Sequence, residues 1–445
     1  MIRNLLSQGA DPNRHSGELQ TIVLLLTLFF VPAIGYTQRL IIHVLITPIA
    51  LDFNLTDLQA SYLQGVPFGF AYALCAIPLG LLADRVHRVR LLAACVLLWS
   101  VATVACGLTP SANGLFLARV FVGIGEAGII PISISLIGDG FARDRRGIAS
   151  SVFTAGIGVG FSLAYISGGW LLTASRDGTF DAISMFQNLD DWRFVFIASA
   201  IPSLFLLFLV SILNEPARQK QAVVVTSGEV SKLGRTHVII LIGIVAAAIC
   251  AMTVDTAIFT WGPRLLIRLY AVPDATANVQ FGIAIGVSGL VGAVVGGAAT
   301  DYAVRRDGPV GASKVVTISA GFGLLGILIL SVKTELFAYL SFVIWTIAVS
   351  AITSSLYAFI TLVFPSNKRG LVISIKTTVT SFLAMSGAPV LVAFTLERIV
   401  QAPSRVDLAL LYVGIPMSFL LICASFLIAQ QTRVFCRSSD GVSGR

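Results

Sequence analysis

The chain has 445 residues, of which 56% are hydrophobic and 12% charged, and its mean hydropathy is +0.90. Soluble domains carry about 25% charged residues, so this composition excludes a soluble globular protein and specifies an all-α polytopic membrane protein. The net charge of +8 reports orientation across the membrane before it reports partners, and no nucleic-acid partner is expected.

Taken in order, the polar segment Met1–Glu18 runs straight into a full-length apolar run and does not read as a cleaved signal peptide. Twelve apolar spans follow, at about 20–36, 59–82, 90–109, 114–138, 148–174, 194–213, 237–262, 279–300, 314–332, 336–363, 370–396 and 408–429. The first is expected to continue helically to about Ile49. On that continuation lie Gln38, Arg39 and His43. A cavity-facing Arg39 can clamp a carboxylate or phosphate bidentately, or hold a nearby carboxyl ionised. Snorkelling to the headgroups is the alternative.

The second span closes on Gly80-Leu-Leu-Ala-Asp84, with Arg85, Arg88 and Arg90 behind it. Those basic residues either interact with the carboxylate or simply retain the loop in the cytoplasm. The fourth span carries Arg119 and Glu126, seven residues apart and therefore on one helix face. A charge at membrane depth is costly, which makes both candidates for a polar pathway; pairing with neighbours to hold helices together is the structural alternative, as is snorkelling for Arg119. Gly123, Gly125 and Gly128 allow close approach to this helix. Gly156, Gly158, Gly160, Gly168 and Gly169 in the fifth span read as close helix packing. The outward loop 175–191, with Asp177, Asp181, Asp190 and Asp191, reads as solvated.

Asn214 to Thr236 is a connector holding Arg218, Lys220, Lys232 and Arg235. Beyond it, Asp255 lies mid-span in the seventh run. It can bind substrate, take a proton, or pair with Lys376 on the eleventh. Lys376 in turn can reach the cytoplasmic surface instead. Thr353, Ser354, Ser355 and Tyr357 give the tenth span a polar face, and Trp261 and Trp345 are cavity or packing aromatics. Cys75, Cys95, Cys106, Cys250 and Cys423 fall in apolar runs and Cys436 in the tail, with no metal or disulfide spacing. Walker A and any nucleophile–base arrangement are absent, so neither an enzyme nor direct ATP drive is expected, and no cofactor.

Alternate connections divide the charge. One set, with both termini and the loops near 84–90, 139–147, 214–236, 301–313 and 364–369, carries 20 of the 30 Lys and Arg; the other carries seven, and three lie within spans. The positive-inside rule puts both termini in the cytoplasm. Two motifs also recur. Asp84 closes the second span and Asp301, with Arg305 and Arg306 behind it, closes the eighth, 217 residues on. Phe141-Ala-Arg-Asp-Arg-Arg146 follows the fourth span and Phe364-Pro-Ser-Asn-Lys-Arg369 the tenth, at an offset of 223. The chain is therefore expected to hold two pseudo-symmetric six-helix bundles, 1–213 and 237–445, joined by a linker at 214–236, with a solute site between repeats near the midplane.

These residues resemble the major facilitator superfamily. Gly80-x-x-x-Asp84-Arg85 resembles its loop 2–3 signature, and 297–306 the weaker copy in loop 8–9. Within it, Arg119-Val-Phe-Val-Gly-Ile-Gly-Glu126-Ala resembles the fourth helix of the spinster family. Pro48-Ile49, Leu55-Thr56-Asp57-Leu58-Gln59, Ile137-Gly138-Asp139 and Asp191-Trp192-Arg193-Phe194 support it. The resemblance implies a secondary transporter, often proton-coupled, for lipid-like or other amphipathic organic solutes. It implies Glu126 as a protonatable or substrate-contacting group, and Gly80, Asp84, Arg85, Arg88, Asp301 and Arg305 as a conformational latch. The family's helix-1 Asp-Arg pair aligns with Gln38-Arg39, so the carboxylate is missing and Asp255 is the replacement considered. The expectation is alternating-access transport of an organic solute with protons by a monomer in a bacterial inner membrane, surrounded by membrane lipid. Glu126 and Asp255 are assigned to proton coupling, and Arg39, Gln38, Arg119 and Tyr357 to substrate. An uncoupled facilitator and a non-transporting receptor or scaffold are the rivals.

Overall fold

A computed structural model describes residues 14–142, 145–180, 189–218, 235–364 and 366–443. Arg143, Asp144, Asp181, Lys220, Lys232 and Pro365 lie outside the described residues. Those residues contain twelve helices long and apolar enough to cross a membrane: α1 Leu19–Asp52, α2 Asp57–Ala83, α3 Arg88–Leu108, α4 Ala112–Gly140, α5 Arg146–Arg176, α6 Asp191–Ser211, α7 Thr236–Tyr270, α8 Asp274–Asp307, α9 Pro309–Val332, α10 Glu335–Val363, α11 Val372–Val400 and α12 Val406–Val434. Backbone polar groups have no water to bond in a hydrocarbon layer, which leaves the helix as the form that satisfies them within each segment. The chain is a multi-pass integral membrane protein.

Local chemistry starts several of these helices. Thr56 and Gln59 form a reciprocal capping box at the head of α2: Thr56 N donates to Gln59 Oε1 at 2.9 Å and Gln59 N to Thr56 Oγ1 at 3.2 Å. Ser111 caps α4 and Thr334 caps α10 through their hydroxyls. Two helices break near a proline, although α1, α2, α7 and α12 carry prolines without a break. Pro131 has no N–H for the carbonyl of Ala127 and its ring clashes there, so α4 interrupts at Ala127–Gly128, directly after Glu126. Pro202 similarly interrupts α6 at Ile201. In α11, Ser381–Met385 and Thr395–Val400 are wound as π-helix.

Two helices run well past their apolar runs. α1 continues through Arg39 to Asp52. α7 continues to Tyr270 and takes in Arg264 and Arg268, which the sequence had left beyond the span. Both arginines lie over Trp261 and beside Asp57 of α2, so polarity does not end the helix there.

The chain divides into two compact units. Unit 1 comprises Met1–Asn54 and Pro67–Val223, and unit 2 Leu55–Val66 and Val224–Arg445. A division at the linker would place all of α2 in the first bundle, but its first turns group with unit 2. The cause is a set of contacts internal to unit 2. Arg268 donates to both carboxylate oxygens of Asp57, at 2.6 and 2.7 Å, and Leu58 N donates to Glu397 Oε1 at 2.8 Å. Gly65 lies so close to α11 that an added Cβ would stand 2.5 Å from the carbonyl oxygen of Met385. The unit boundary falls at Pro67, where α2 lacks a backbone donor.

Within unit 1, α1 packs along α5 and α3 along α4. Gly160 permits the first pairing, since a Cβ there would meet the Ala33 carbonyl at 2.7 Å. The internal repeat is visible in hydrogen bonds. Arg146 Nε donates to the Phe141 carbonyl at 3.1 Å, and Arg369 Nε donates to the Phe364 carbonyl at 2.9 Å. The two loops thus make the same turn in the two units.

Candidate functional site

The fourth helix brings Arg119 and Glu126 into the interior of unit 1. Glu126 is fully buried, Arg119 is 1% exposed and Arg39 of α1 is 5% exposed. Arg39 Nε donates to Glu126 Oε2 at 2.8 Å. The Arg39 guanidinium is enclosed by three aromatic rings, with its central carbon 4.2 Å from the Tyr36 centroid, 4.6 Å from Phe68 and 5.0 Å from Tyr72. Cation–π attraction is strongest where water is excluded, so this cage offsets part of the cost of burying the cation. Arg119 stands over the same Phe68 ring at 5.2 Å.

The cluster is incompletely satisfied. Among the described residues, Glu126 Oε1 and both Nε and Nη1 of Arg119 have no hydrogen-bond partner. Two guanidinium groups and one carboxylate leave a net positive charge, buried, with donors unused. An unpaired buried charge is expensive. This arrangement is chemically suited to receive an anionic group from a ligand, or a proton on Glu126. The glycines of α4 serve packing: a Cβ on Gly123 would meet the Phe68 carbonyl at 2.7 Å, and one on Gly125 would meet Trp99 at 2.8 Å. They set α2 and α3 against the face that carries Glu126.

Gln38 faces other partners. Its Nε2 donates to the Ser199 carbonyl at 2.9 Å and to Ser203 Oγ at 2.6 Å, while Oε1 accepts from Thr103 Oγ1 at 3.2 Å. It ties α1 to α3 and α6.

The loop after α2 is built around Arg88. This residue is 1% exposed. It donates to Glu215 Oε1 at 3.0 Å, to the Ser135 carbonyl at 3.2 Å and Oγ at 3.1 Å, to the Pro216 carbonyl at 2.7 Å, and to Asp139. His87 Nδ1 lies 2.6 Å from Glu215 Oε2. Burial acts to raise the Glu215 carboxyl, but the hydrogen bonds from Arg88 outweigh it and hold Glu215 below the usual carboxylate value. Arg218 donates to the carbonyls of Ala83, Asp84 and Val86, closing the end of α2. Asp84 and Arg85 are exposed, and a Cβ added to Gly80 would meet Pro131 only at ordinary contact distance. In the second copy, Asp301 and Arg305 are exposed.

In unit 2, Asp255 is half-buried, and its Oδ1 has no partner among the described residues. Trp345, fully buried, is the side chain that interacts with the Asp255 carboxyl, whereas Trp261 Nε1 donates to the Pro389 carbonyl at 3.2 Å. Lys376 makes no ion pair with Asp255. Its ammonium sits 4.0 Å from the centroid of the Tyr357 ring and is shielded from solvent. Tyr357 and Lys376 therefore form one group and Asp255 another. Arg264 is 2% exposed, lies 4.5 Å over Trp261 and 3.6 Å from Asp57, and leaves Nε and Nη1 without hydrogen bonds.

Sequence reading missed the aromatic cage, the partners of Arg88 and the Asp57–Arg264–Arg268 cluster. Spacing carried some signal. Tyr36 is three residues before Arg39, and Phe68 and Tyr72 are four apart, so each pair shares a helix face. Only tertiary packing brings those faces together.

The major facilitator superfamily model matches residues 28–389. Protein spinster of Drosophila melanogaster is 29% identical over 294 residues, covering 63% of this chain and 46% of that protein. An MFS-type efflux pump of Mycolicibacterium smegmatis is 27% identical over 284 residues, covering 63% of this chain and 62% of the pump. These alignments span about half to three-fifths of the length of those curated relatives. A bacterial homologue of the human lysosomal transporter spinster, solved in an inward-facing, unoccupied conformation, superimposes with a TM-score of 0.78. Its sequence identity is 21% over 96% of this chain and 99% of that one, a likeness of fold. Twelve spanning helices, an internal repeat and buried charges on α1 and α4 accord with a family of transporters rather than enzymes. The chain resembles spinster proteins and belongs to the major facilitator superfamily.

Proposed function

We propose that the chain is a secondary transporter moving an anionic or amphipathic organic solute by alternating access, with Glu126 as the proton carrier. The observation that carries this reading is the unsatisfied cluster of Arg39, Glu126 and Arg119 inside a membrane span. Protonating Glu126 releases Arg39 from its ion pair. The freed guanidinium then adds to the unused donors of Arg119 as a receptor for a carboxylate or phosphate. Deprotonation re-forms the pair and expels the anion, which links solute to proton. Asp255 is a second protonatable group and Tyr357 a substrate contact in this scheme. Gly80, Asp84, Arg85 and Arg88, where α2 passes into α3, and Asp301 and Arg305 at the end of α8, hold conformational states in this scheme. Both termini lie in the cytoplasm of a bacterial inner membrane, the protein acts as a monomer, and the two six-helix repeats are the moving bodies.

The uncoupled facilitator is favoured by one observation: Gln38 stands where the family's helix-1 acid is expected, and its amide is taken by Thr103, Ser199 and Ser203. Both readings are tested in proteoliposomes. Solutes are first screened by thermal shift at two pH values, since a ligand that binds the native state raises the melting temperature. Uptake of a hit is then followed with and without an imposed pH gradient. Proton coupling requires that the gradient drive accumulation in the wild type and not in Glu126→Gln. Equal, gradient-indifferent rates in both would select the facilitator.

A further inference from the structure

Away from the buried charges, α9 and α12 of unit 2 form an open groove with a volume of about 630 Å³. Its lining includes Lys314, Thr317 and Ile318 of α9 and Phe426, Gln430 and Arg433 of α12. The polar and apolar members are sorted by depth. Lys314 is near the first turn of α9 and Arg433 is in the last turn of α12, so both cations stand at the same end of the helix pair. Ile318 lies one turn further in and Phe426 about two turns further in, and both are 61% exposed. Thr317 Oγ1 donates to Ser425 Oγ at 2.9 Å and holds the two helices together beneath the groove.

Its charge is net positive. Lys314 shares its ammonium with Asp307 at 2.5 Å, while Arg433 makes no ion pair among the described residues. Elsewhere the exposed apolar side chains of the spans form a surface that any acyl chain can cover. Here there is a concave site with cations at the level of the headgroups and bare aliphatic and aromatic surface at the level of the chains. The volume is in the range of small-molecule sites, about 300–1,000 Å³. Basic pockets between spanning helices on the cytoplasmic side bind anionic headgroups.

We propose that this groove binds one anionic phospholipid, with its phosphate between Lys314 and Arg433 and an acyl chain along Ile318 and Phe426. Gln430 is placed to donate to the headgroup oxygens. The lipid would seal α9 against α12 at the end where the positive-inside bias puts the cytoplasm.

Native mass spectrometry of the full chain in detergent, titrated with phosphatidylglycerol or phosphatidylcholine, tests this without any transport assay. The wild type is expected to retain one phosphatidylglycerol in preference to phosphatidylcholine. Each basic residue near a membrane surface is worth about fivefold in affinity for anionic lipid, so Lys314→Gln with Arg433→Gln should lower phosphatidylglycerol affinity roughly 30-fold. Phosphatidylcholine retention should not change. Ile318→Trp, which fills the apolar part, should weaken both lipids. These side chains are exposed, and unchanged melting in lipid-free detergent confirms that the variants fold. The proposal is overturned if the double variant keeps wild-type affinity, or if the wild type does not distinguish the two lipids. Displacement of phosphatidylglycerol by an equal concentration of inorganic phosphate also overturns it, because a small-anion site would then suffice.

Discussion

Arg88 and Arg119 are equally buried, each 1% exposed, and both belong to unit 1. They differ in what surrounds them. Arg88 has four acceptor residues for its guanidinium, two of them carboxylates, whereas Arg119 leaves two nitrogens without a partner. Burial of a charge therefore says little by itself. A saturated guanidinium is structural, fastening the start of α3 to the end of α4 and to the chain after α6. An unsaturated one lowers stability, and in the proposed scheme an anionic ligand supplies the acceptors it lacks. The same contrast holds in unit 2 between Arg268, which grips Asp57 with two short bonds, and Arg264, which stands beside it with two nitrogens unused.

The comparison is easiest to break at Arg88. Arg88→Met removes the buried cation that Asp139 and Glu215 share, and breaking such a pair costs about 3 kcal/mol, a fall in melting temperature of roughly 3–6 °C in a chain of this size. Differential scanning fluorimetry of the purified variant measures it; a change within about 2 °C of wild type would contradict the structural role. The loop repeat gives a smaller and paired effect. Arg146→Gln and Arg369→Gln each remove one charged hydrogen bond to a buried carbonyl, about 1.5 kcal/mol apiece. Unequal losses would mean that the two copies are not equivalent.

Arg119→Met should behave in the opposite sense. Replacing an unsatisfied buried charge by an apolar chain of similar length is neutral or stabilising by about 1 kcal/mol. The thermal shift given by an anionic solute should disappear in the same variant. A destabilised Arg119→Met that still responds to solute would reverse the assignment. The smallest effect is one of pH. The Glu215 carboxyl is held low in the folded state, so its contribution is present above the ordinary carboxylate value and is lost as pH falls through the folded value. Solvent screening keeps that contribution below about 1 kcal/mol. Between pH 6 and pH 4 the wild type should lose slightly more stability than Glu215→Gln, and identical slopes would remove Glu215 from the network.

Much of this was legible in order along the chain. Apolar runs of membrane length give the twelve helices, because hydrocarbon permits little else. The seven-residue spacing of Arg119 and Glu126 puts both on one face of α4. The recurrence of Phe141–Arg146 at Phe364–Arg369 anticipated a shared turn, and the two arginines do make the same bond. Helix ends were less legible where charged residues stay inside. Arg264 and Arg268 look like loop residues by polarity, yet a tryptophan ring and Asp57 keep them on α7. The break in α4 was not anticipated: Pro131 interrupts the helix four residues earlier, beside Glu126, whereas Pro32, Pro48, Pro67 and Pro78 lie inside continuous helices.

What the sequence determined by itself is local or periodic: the membrane class, the number of spans, the repeat, and the buried ionisable residues on α1 and α4. Each follows from hydrophobicity, spacing or composition within one segment. Partnership was decided only by tertiary structure. Arg39 meets Glu126 across 87 positions of sequence, Gln38 turns instead to Ser199 and Ser203, and Lys376 settles on Tyr357 rather than Asp255. A side chain several ångströms long can reach any of several neighbours, and which one it takes depends on how helices distant in sequence are packed and rotated. Close approach at Gly123, Gly125 and Gly160 fixes that packing in unit 1 and thereby decides which buried charges are satisfied and which remain available.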